Sequence, residues 1–321
     1  MLSVVKSISL IGLDGHLINI QVDVSSCMPC WEIVGLPDIS VKESKERVRT
    51  SIKNSGYEFL SRRIVINLAP ADIKKEGSSF DLPIAIGILI CSEQIKQNSF
   101  DDTIFIGELS LDGTINRVNG ILPICIEARK LGIKRVIVPI ENTKEASIVS
   151  DIEIIGVKSL SEVVKYLNSE IDITPYKTDI NELFNNKSKT VFDFSEVKGQ
   201  ENIKRALEIA AAGGHNCLLV GSPGSGKTMM ARRIPSILPD LNFNEALEIT
   251  KIHSISGNLE KDVGLITARP FRAPHHTVSS TSLIGGGRIP KPGEISLAHN
   301  GVLFLDELPE FNKSTLEVLR G

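Results

Sequence analysis

Residues 221–228 read Gly221-Ser222-Pro223-Gly224-Ser225-Gly226-Lys227-Thr228, which is the pattern G-x-x-x-x-G-K-T. The apolar run Cys217-Leu218-Leu219-Val220 comes directly before it and predicts a buried strand, and the residues after it predict a helix. A strand, a glycine-rich loop and a helix in that order indicate a phosphate-binding loop. The glycines let successive backbone N–H groups point at one anion, and the start of the helix adds favourable partial charge.

Two side chains of this loop are candidates for contact with a bound triphosphate. Lys227 is predicted to reach the β- and γ-phosphates, and the Thr228 hydroxyl is predicted to be a ligand of Mg²⁺. All eight residues of the loop are therefore candidate nucleotide-binding residues.

A second signal follows in the run Val302-Leu303-Phe304-Leu305-Asp306-Glu307. An apolar run that ends in two acids is typical of a central parallel strand that delivers carboxylates to a ligand edge. Asp306 is predicted to hold Mg²⁺ directly or through water, and Glu307 to polarise the water that attacks the γ-phosphate. Buried strands often end at acidic turns, so the run indicates binding and hydrolysis of a nucleoside triphosphate only because it follows a phosphate loop. Lys227, Asp306 and Glu307 are the predicted catalytic residues.

The amino-acid composition limits the classes of protein to which this chain can belong. A chain of 321 residues has room for two domains, and 41% hydrophobic with 23% charged residues is ordinary for a globular protein. The net charge of −3 argues against a wholly basic nucleic-acid coat but allows a local basic stripe. No signal-peptide pattern is found, and the most apolar run, 84–91, is too short to span a bilayer. We expect a cytoplasmic protein without membrane contact.

The five cysteines do not predict a disulfide framework or a metal site. Cys27 and Cys30 form a C-x-x-C pair, but Trp31 follows the second cysteine, whereas in the thioredoxin pattern a tryptophan precedes the first. No second pair completes a zinc site. We interpret the cysteines as loop and core residues.

The order of patterns divides the chain into two domains and a linker. Residues 1–168 alternate strand and helix patterns and indicate an α/β or α+β domain; the predicted strands are 62–68, 103–106 and 134–138, and the predicted helices begin with a capping box at Ser40, at Asp81, at Ile124 and with a capping box at Ser159. Residues 169–190 are polar and predict a linker with a short helix around 180–184. Residues 191–321 are the second domain, in which 201–212 are predicted to be helical.

Several longer segments of the sequence resemble those of a known protein family. The second domain resembles an AAA+ ATPase, and its segment 194–200 is similar to the entry motif that contacts the nucleotide base. Within that group, the segments 271–277 and 291–299 resemble the magnesium-chelatase-like branch. In the N-terminal half, the segments 33–38, 67–72 and 80–83 resemble the YifB/ComM family of bacterial magnesium-chelatase-like ATPases. The resemblance covers nearly the whole chain. It implies an α/β chain in which a Lon-protease-like α+β N-terminal domain precedes a partial P-loop AAA+ domain with a parallel sheet.

The Lon-like resemblance raises the question of peptidase activity. Ser79 stands where the Lon nucleophile segment falls, and a Lon-type serine needs a lysine to activate it. At the position where that lysine is expected, this chain has Leu122. We therefore expect a non-proteolytic domain, with Ser78 and Ser79 as loop and helix-entry residues.

A basic segment with a glycine hinge lies between the phosphate loop and the acidic run 302–307. It contains Arg269, Arg272, Arg288 and Lys291, with Gly285-Gly286-Gly287 between them. Such a segment is suited to grip a phosphate backbone in the pore of a ring, and equally suited to form a solvated or intersubunit face. The tandem histidines His275 and His276 are interpreted as structuring this loop or a subunit contact, not as metal ligands.

The resemblance implies an ATP- and Mg²⁺-dependent motor that forms a ring homo-oligomer, a hexamer in its full-length form. It further implies a ComM-like DNA helicase that promotes branch migration during transformation. Two alternatives stay open at this point: a chaperone-like remodelling ATPase of the magnesium chelatase type, and a truncated chain that binds ATP but is inactive. The sensor residues, the trans-acting arginine and the helical lid of an AAA+ module are expected beyond residue 321, and we expect low turnover without them.

Overall fold

The computed structural model describes most of the chain, namely residues 1–96, 100–185, 192–287, 290–317 and 319. The chain divides into two compact units. The N-terminal unit consists of Met1–Thr178 and Leu259–Gly264, and the C-terminal unit consists of Asp179–Asn258 and Leu265–Gly321.

The N-terminal unit is built on one mixed sheet. Its strands are β1 (Leu2–Ile11), β2 (Asp14–Ser25), β3 (Cys30–Val34), β4 (Arg63–Ala69), β5 (Thr103–Phe105), β8 (Arg135–Pro139) and β9 (Glu153–Val157), and a separate small hairpin is formed by β6 (Glu108–Leu109) and β7 (Ile115–Asn116). The order across the sheet is β3-β4-β2-β1-β5-β8-β9. The pairs β1–β2 and β2–β4 are antiparallel, and the remaining neighbours are parallel.

The helices described in this unit are α1 (Ile39–Asn54), α2 (Asp81–Cys91), α3 (Ile121–Lys130), α4 (Thr143–Ala146) and α5 (Leu160–Leu167). Every residue of α2 is buried, as its mostly apolar sequence requires. This helix packs against β1, β2 and α1, and together with the inward side chains of the sheet it forms the main core.

The start of α1 differs from the sequence prediction. We expected a capping box at Ser40, but the N-cap is Asp38, whose carboxylate accepts a hydrogen bond from the Val41 amide at 2.8 Å. Asp38 has extended backbone, so its side chain can reach back to the first turn, whereas Ser40 already lies inside the helix. At Ser159 one half of the predicted capping box is present, since the hydroxyl accepts from the Glu162 amide at 3.3 Å. The reciprocal bond differs from the prediction, because the Glu162 carboxylate accepts from the Lys158 amide at 2.6 Å.

A buried ion pair joins α1 to α2. Arg47 donates to both carboxylate oxygens of Asp81, at 2.7 and 3.0 Å, and Asp81 also accepts from the Leu109 amide. The hydrogen bond to Asp81 raises the pKa of Arg47 above its ordinary value, so the guanidinium stays charged.

We expect Arg47→Ala to lower the free energy of unfolding by about 3 kcal/mol, because it leaves the carboxylate of Asp81 buried without its partner. Arg49→Ala is the matched control: Arg49 is exposed and lies 5.9 Å from the ring centre of Phe59, a contact worth less than about 1 kcal/mol. Urea unfolding of both variants measures the difference. Equal losses would show that the buried pair adds no stability of its own.

The C-terminal unit contains shorter elements. Its helices are α6 (Ile180–Asn185), α7 (Glu201–Gly213), α8 (Lys227–Ala231), α9 (Phe243–Ser256), α10 (Ser280–Ile284), α11 (Glu294–Leu297) and α12 (Lys313–Glu317), and its strands are β10 (Phe271–Arg272), β11 (Gly285–Gly286), β12 (Lys291–Pro292) and β13 (Val302–Leu303). Strands β10 and β13 pair in parallel, and β11 and β12 form an antiparallel hairpin. A small buried cluster contains Phe194, Val197, Leu207 and Met230.

The strand predicted before the phosphate loop is absent, which corrects the sequence interpretation. Residues 217–220 are irregular, and Leu218 and Val220 are 74% and 87% exposed. Strands are stabilised by pairing with neighbours, and β10 and β13 pair with each other over only two residues, so 217–220 finds no partner strand among the described residues. An apolar run cannot by itself specify that partner.

The overall class is confirmed: the chain is a mixed α/β protein whose larger sheet is mostly parallel. Among the helices that the structure describes, none is both long and apolar enough to cross a membrane.

Candidate nucleotide-binding site

The glycine-rich loop of residues 221–228 turns sharply before α8. Gly224 and Gly226 have φ angles of +76° and +84°, a region that other residues rarely adopt. Lys227 follows at the start of α8, and its ammonium donates to the carbonyl oxygens of Gly221 and Ser222, each at 2.9 Å. The Lys227 side chain therefore reaches across the loop, and its charge lies at the backbone turn that would receive a phosphate.

The structure brings the loop and the acidic run together. The Thr228 hydroxyl donates to Asp306 Oδ2 at 2.9 Å, although 78 residues separate them. Strand β13 places Asp306: it pairs with β10, and the Phe304 amide extends the pairing by donating to the Arg272 carbonyl at 2.8 Å. The predicted hydroxyl and carboxylate ligands thus lie side by side.

These two oxygen donors fit Mg²⁺. Hard oxygen ligands suit this ion, and it is usually bound by one or two carboxylates together with water and substrate phosphates. No cluster of three or more His, Cys, Asp or Glu that could hold a metal occurs among the described residues. A single hydroxyl–carboxylate pair at a phosphate loop is the arrangement that Mg²⁺ with a nucleotide needs, and it is not a closed structural metal site.

Glu307 follows Asp306 in an unusual backbone conformation. Its φ angle is +54°, and its amide donates to Asp306 Oδ1 at 3.1 Å. Non-glycine residues with positive φ are strained and cluster at functional sites. The carboxylate of Glu307 lies 3.6 Å from Nδ1 of His276, a contact that the sequence pattern did not reveal.

The segment that resembles the nucleotide-base motif, 194–200, packs beside the loop's helix. Phe194 and Val197 are buried with Met230 of α8. Arg233, which follows α8, pairs with Glu196 at 3.1 Å and lies 5.2 Å from the ring centre of Phe192. Sequence reasoning missed Arg233, because nothing in its spacing distinguishes it from a surface cation.

Two of the four cations predicted to contact DNA form hydrogen bonds inside the C-terminal unit. Arg269 donates to the carbonyls of Pro239 and Asn300 at 2.6 and 2.7 Å, and Arg272 forms a bidentate pair with Glu294 at 2.6 and 2.7 Å. Both guanidinium groups are thereby occupied. Lys291 is exposed on the hairpin strand β12, and Arg288 lies outside the described residues.

The Lon-like candidate residues show no activated nucleophile. Ser79 is half-buried, and the neighbouring Ser78 donates its hydroxyl to Glu108. Leu122, which stands where a lysine base is expected, is fully buried, and its amide donates to the Glu145 carboxylate at 2.9 Å. Leu122 lies in the first turn of α3, so an apolar side chain stands where a Ser–Lys pair would need its base.

Fold and site together define a class: a P-loop module of the AAA+ magnesium chelatase type joined to a Lon-like unit. A family model described as magnesium chelatase, subunit ChlI, matches residues 193–321. A second, described as subunit ChlI of Mg-chelatase, matches residues 20–142. Lon protease 2 of Bacillus subtilis is 32% identical over 144 residues, which are 44% of this chain and 25% of that protein.

Sequence similarity to known proteins extends over almost the entire chain. Competence protein ComM of Haemophilus influenzae is 44% identical, and YifB of Escherichia coli is 46% identical, each over 99% of this chain and 62% of the relative. The chain belongs to the YifB/ComM family. It spans 62% of the length of these two relatives.

Proposed function

We propose that this chain binds ATP with Mg²⁺ at residues 221–228 and hydrolyses it. The observation that carries the proposal is the hydrogen bond between Thr228 and Asp306, at 2.9 Å, which joins the phosphate loop to the acidic strand end. Separate residues supply the two halves of the site, and the fold brings them into contact at the place where a triphosphate and its metal would lie.

Each residue has a role in this proposal. The backbone amides of the loop surround the phosphates, and Lys227 neutralises charge on the β- and γ-phosphates. Thr228 and Asp306 hold Mg²⁺, which supplies charge neutralisation at the phosphate oxygens when it is bound. Glu307 accepts the proton of the attacking water, a role that an exposed carboxylate next to the metal ligand can fill.

We further propose that the whole protein acts as a cytoplasmic, ring-forming motor on DNA. In support of this proposal, one relative at 44% identity is named competence protein ComM. The exposed Lys291 on the hairpin β11–β12, together with Arg288, is the candidate contact to the phosphate backbone. Neighbouring subunits in such a ring would complete the active site with an arginine supplied in trans.

We expect forked DNA to stimulate ATP turnover of a chain extended to the length of its relatives, and Lys291→Glu to reduce this stimulation. Because phosphate contacts release counterions, the stimulation should weaken as salt rises from about 50 to about 200 mM. Lys313→Glu is the matched control, since Lys313 is 91% exposed and lies outside the hairpin. A stimulation that is unaffected by both salt and Lys291→Glu would contradict the DNA contact.

A second candidate function is a chaperone-like remodelling ATPase of the magnesium chelatase type. The observation in its favour is that both family models that match the chain describe magnesium chelatase subunits. ATP turnover that is indifferent to DNA would favour this alternative. ATP binding without turnover, even in the extended chain, would favour an inactive nucleotide-binding protein.

A further inference from the structure

His276 is the side chain that faces the proposed catalytic carboxylate. Its Nδ1 lies 3.6 Å from Oε2 of Glu307. Among the described residues, no other lysine, arginine or histidine nitrogen lies within 4.0 Å of that carboxylate. A distance of 3.6 Å is longer than a hydrogen bond, but contacts in catalytic sites often tighten when substrate binds.

The imidazole of His276 is held on two sides. The ring of His275 lies 4.0 Å from it between ring centres, and the ring of the buried Phe311 meets it edge-on at 6.5 Å. The Nδ1 of His275 in turn contacts the Thr277 hydroxyl at 3.0 Å. A ring packed in this way loses rotamer freedom before any substrate binds, so it can fix the direction of a neighbouring group.

The strand that precedes His276 pairs with the strand that precedes Glu307. His276 lies four residues after Arg272, the last residue of β10, and β10 pairs with β13. Arg272 and Glu294 flank the segment that contains His276, and their bidentate pair holds the two ends of that segment together. Both partners of the His276–Glu307 contact therefore emerge from the same strand pair.

We propose that His276 is a positioning residue for Glu307, directing its carboxylate toward the attacking water. This inference rests on the proposed ATPase function. Glu307 is 68% exposed and its backbone is strained at φ +54°, so its own surroundings restrain the side chain weakly. A nitrogen donor at His276 limits the directions in which the Glu307 carboxylate can point.

The test uses a chain extended to the length of its relatives, with kcat and KM for ATP measured for each variant. His276→Ala should lower kcat about tenfold or more, with KM and the affinity for a non-hydrolysable ATP analogue unchanged. His276→Asn should recover most of the rate, because an asparagine amide can place a nitrogen donor close to the position of Nδ1. His299→Ala is the matched control, since His299 pairs with Glu248 at 3.1 Å, away from the proposed catalytic residues.

A double-mutant cycle separates positioning from a merely structural role. In a Glu307→Gln background, His276→Ala should have no further effect on kcat, because the group that it positions has lost its function. Additive losses, or a kcat for His276→Ala equal to the unmodified chain, would overturn the inference while leaving the ATPase proposal intact. Turnover in the unmodified chain no higher than in Lys227→Ala would instead overturn the ATPase proposal and this inference with it.

Discussion

Replacing Lys227 by alanine will raise the dissociation constant for ATP by about 100-fold. The ammonium of Lys227 is the one cation of the phosphate loop. Its loss removes charge-assisted hydrogen bonds to the phosphates, and we expect this loss to weaken ATP binding by about 100-fold. It also removes the brace across the loop, because the carbonyls of Gly221 and Ser222 lose the donor that now lies 2.9 Å from each of them. Calorimetric titration of the 321-residue chain with ATP and Mg²⁺ measures the effect.

Two controls show whether the loss is specific to the phosphate site. Lys313→Ala removes the same charge from a side chain that is 91% exposed, and its affinity should stay within about twofold of the unmodified chain. Lys227→Arg keeps the charge but replaces a compact ammonium by a planar fork, so it should bind ATP with intermediate affinity. Unchanged ATP affinity in Lys227→Ala would show that residues 221–228 do not hold the phosphates.

The sequence predicted the elements whose patterns are local. The ten residues of α2 that follow Asp81 are apolar, and all eleven residues of the helix are buried. The cap of α5 follows from Ser159 and Glu162 alone, since the bond that makes it spans three residues. Strand β4 shows aliphatic residues at alternating buried positions, and the structure places it at Arg63–Ala69.

Strands β1 and β2 were missed for different reasons. In β1 the inward positions include the buried Ser3, Ser7 and Ser9, whereas Leu2 and Val4 are exposed, so apolar residues do not mark the inner face. In β2 the alternation is plain: buried isoleucine and valine residues occur at 18, 20, 22 and 24, with polar residues at 19, 21 and 23. A count of period-two matches would have found this strand.

Of two contacts between distant residues in the site, the sequence motifs predicted one and missed the other. The pairing of Thr228 with Asp306 was expected, because the known chemistry of a phosphate loop requires a hydroxyl and a carboxylate at one metal. The contact of His276 with Glu307 was not expected, since it depends on how β10 and β13 pair and on the path of the chain after β10. Strand pairing likewise depends on distant residues, and the apolar run 217–220 has no partner strand in the part of the chain that the structure describes.

Replacing Glu307 by glutamine will lower ATP turnover by about 100- to 10,000-fold in a chain of the relatives' length, while ATP affinity stays within about threefold. Glutamine has the same shape but cannot accept a proton from water, so binding interactions remain and proton transfer is lost. Single-turnover measurements with radiolabelled ATP, beside calorimetric affinities, distinguish the two effects. Glu310→Gln is the control: Glu310 is exposed, three residues further along, and its loss should leave turnover unchanged.

The two adjacent acids can then be told apart by their dependence on Mg²⁺. Asp306→Asn removes the carboxylate that accepts from Thr228 at 2.9 Å, so it should raise the Mg²⁺ concentration needed for half-maximal ATP binding. Glu307→Gln should leave that concentration unchanged, because its side chain points to His276 and not to Thr228. If both variants shifted the Mg²⁺ requirement equally, the acids would share the metal, and the proton acceptor would have to be sought elsewhere. A shift in Asp306→Asn alone, with slow turnover in Glu307→Gln, requires one acid for the metal and the other for the water.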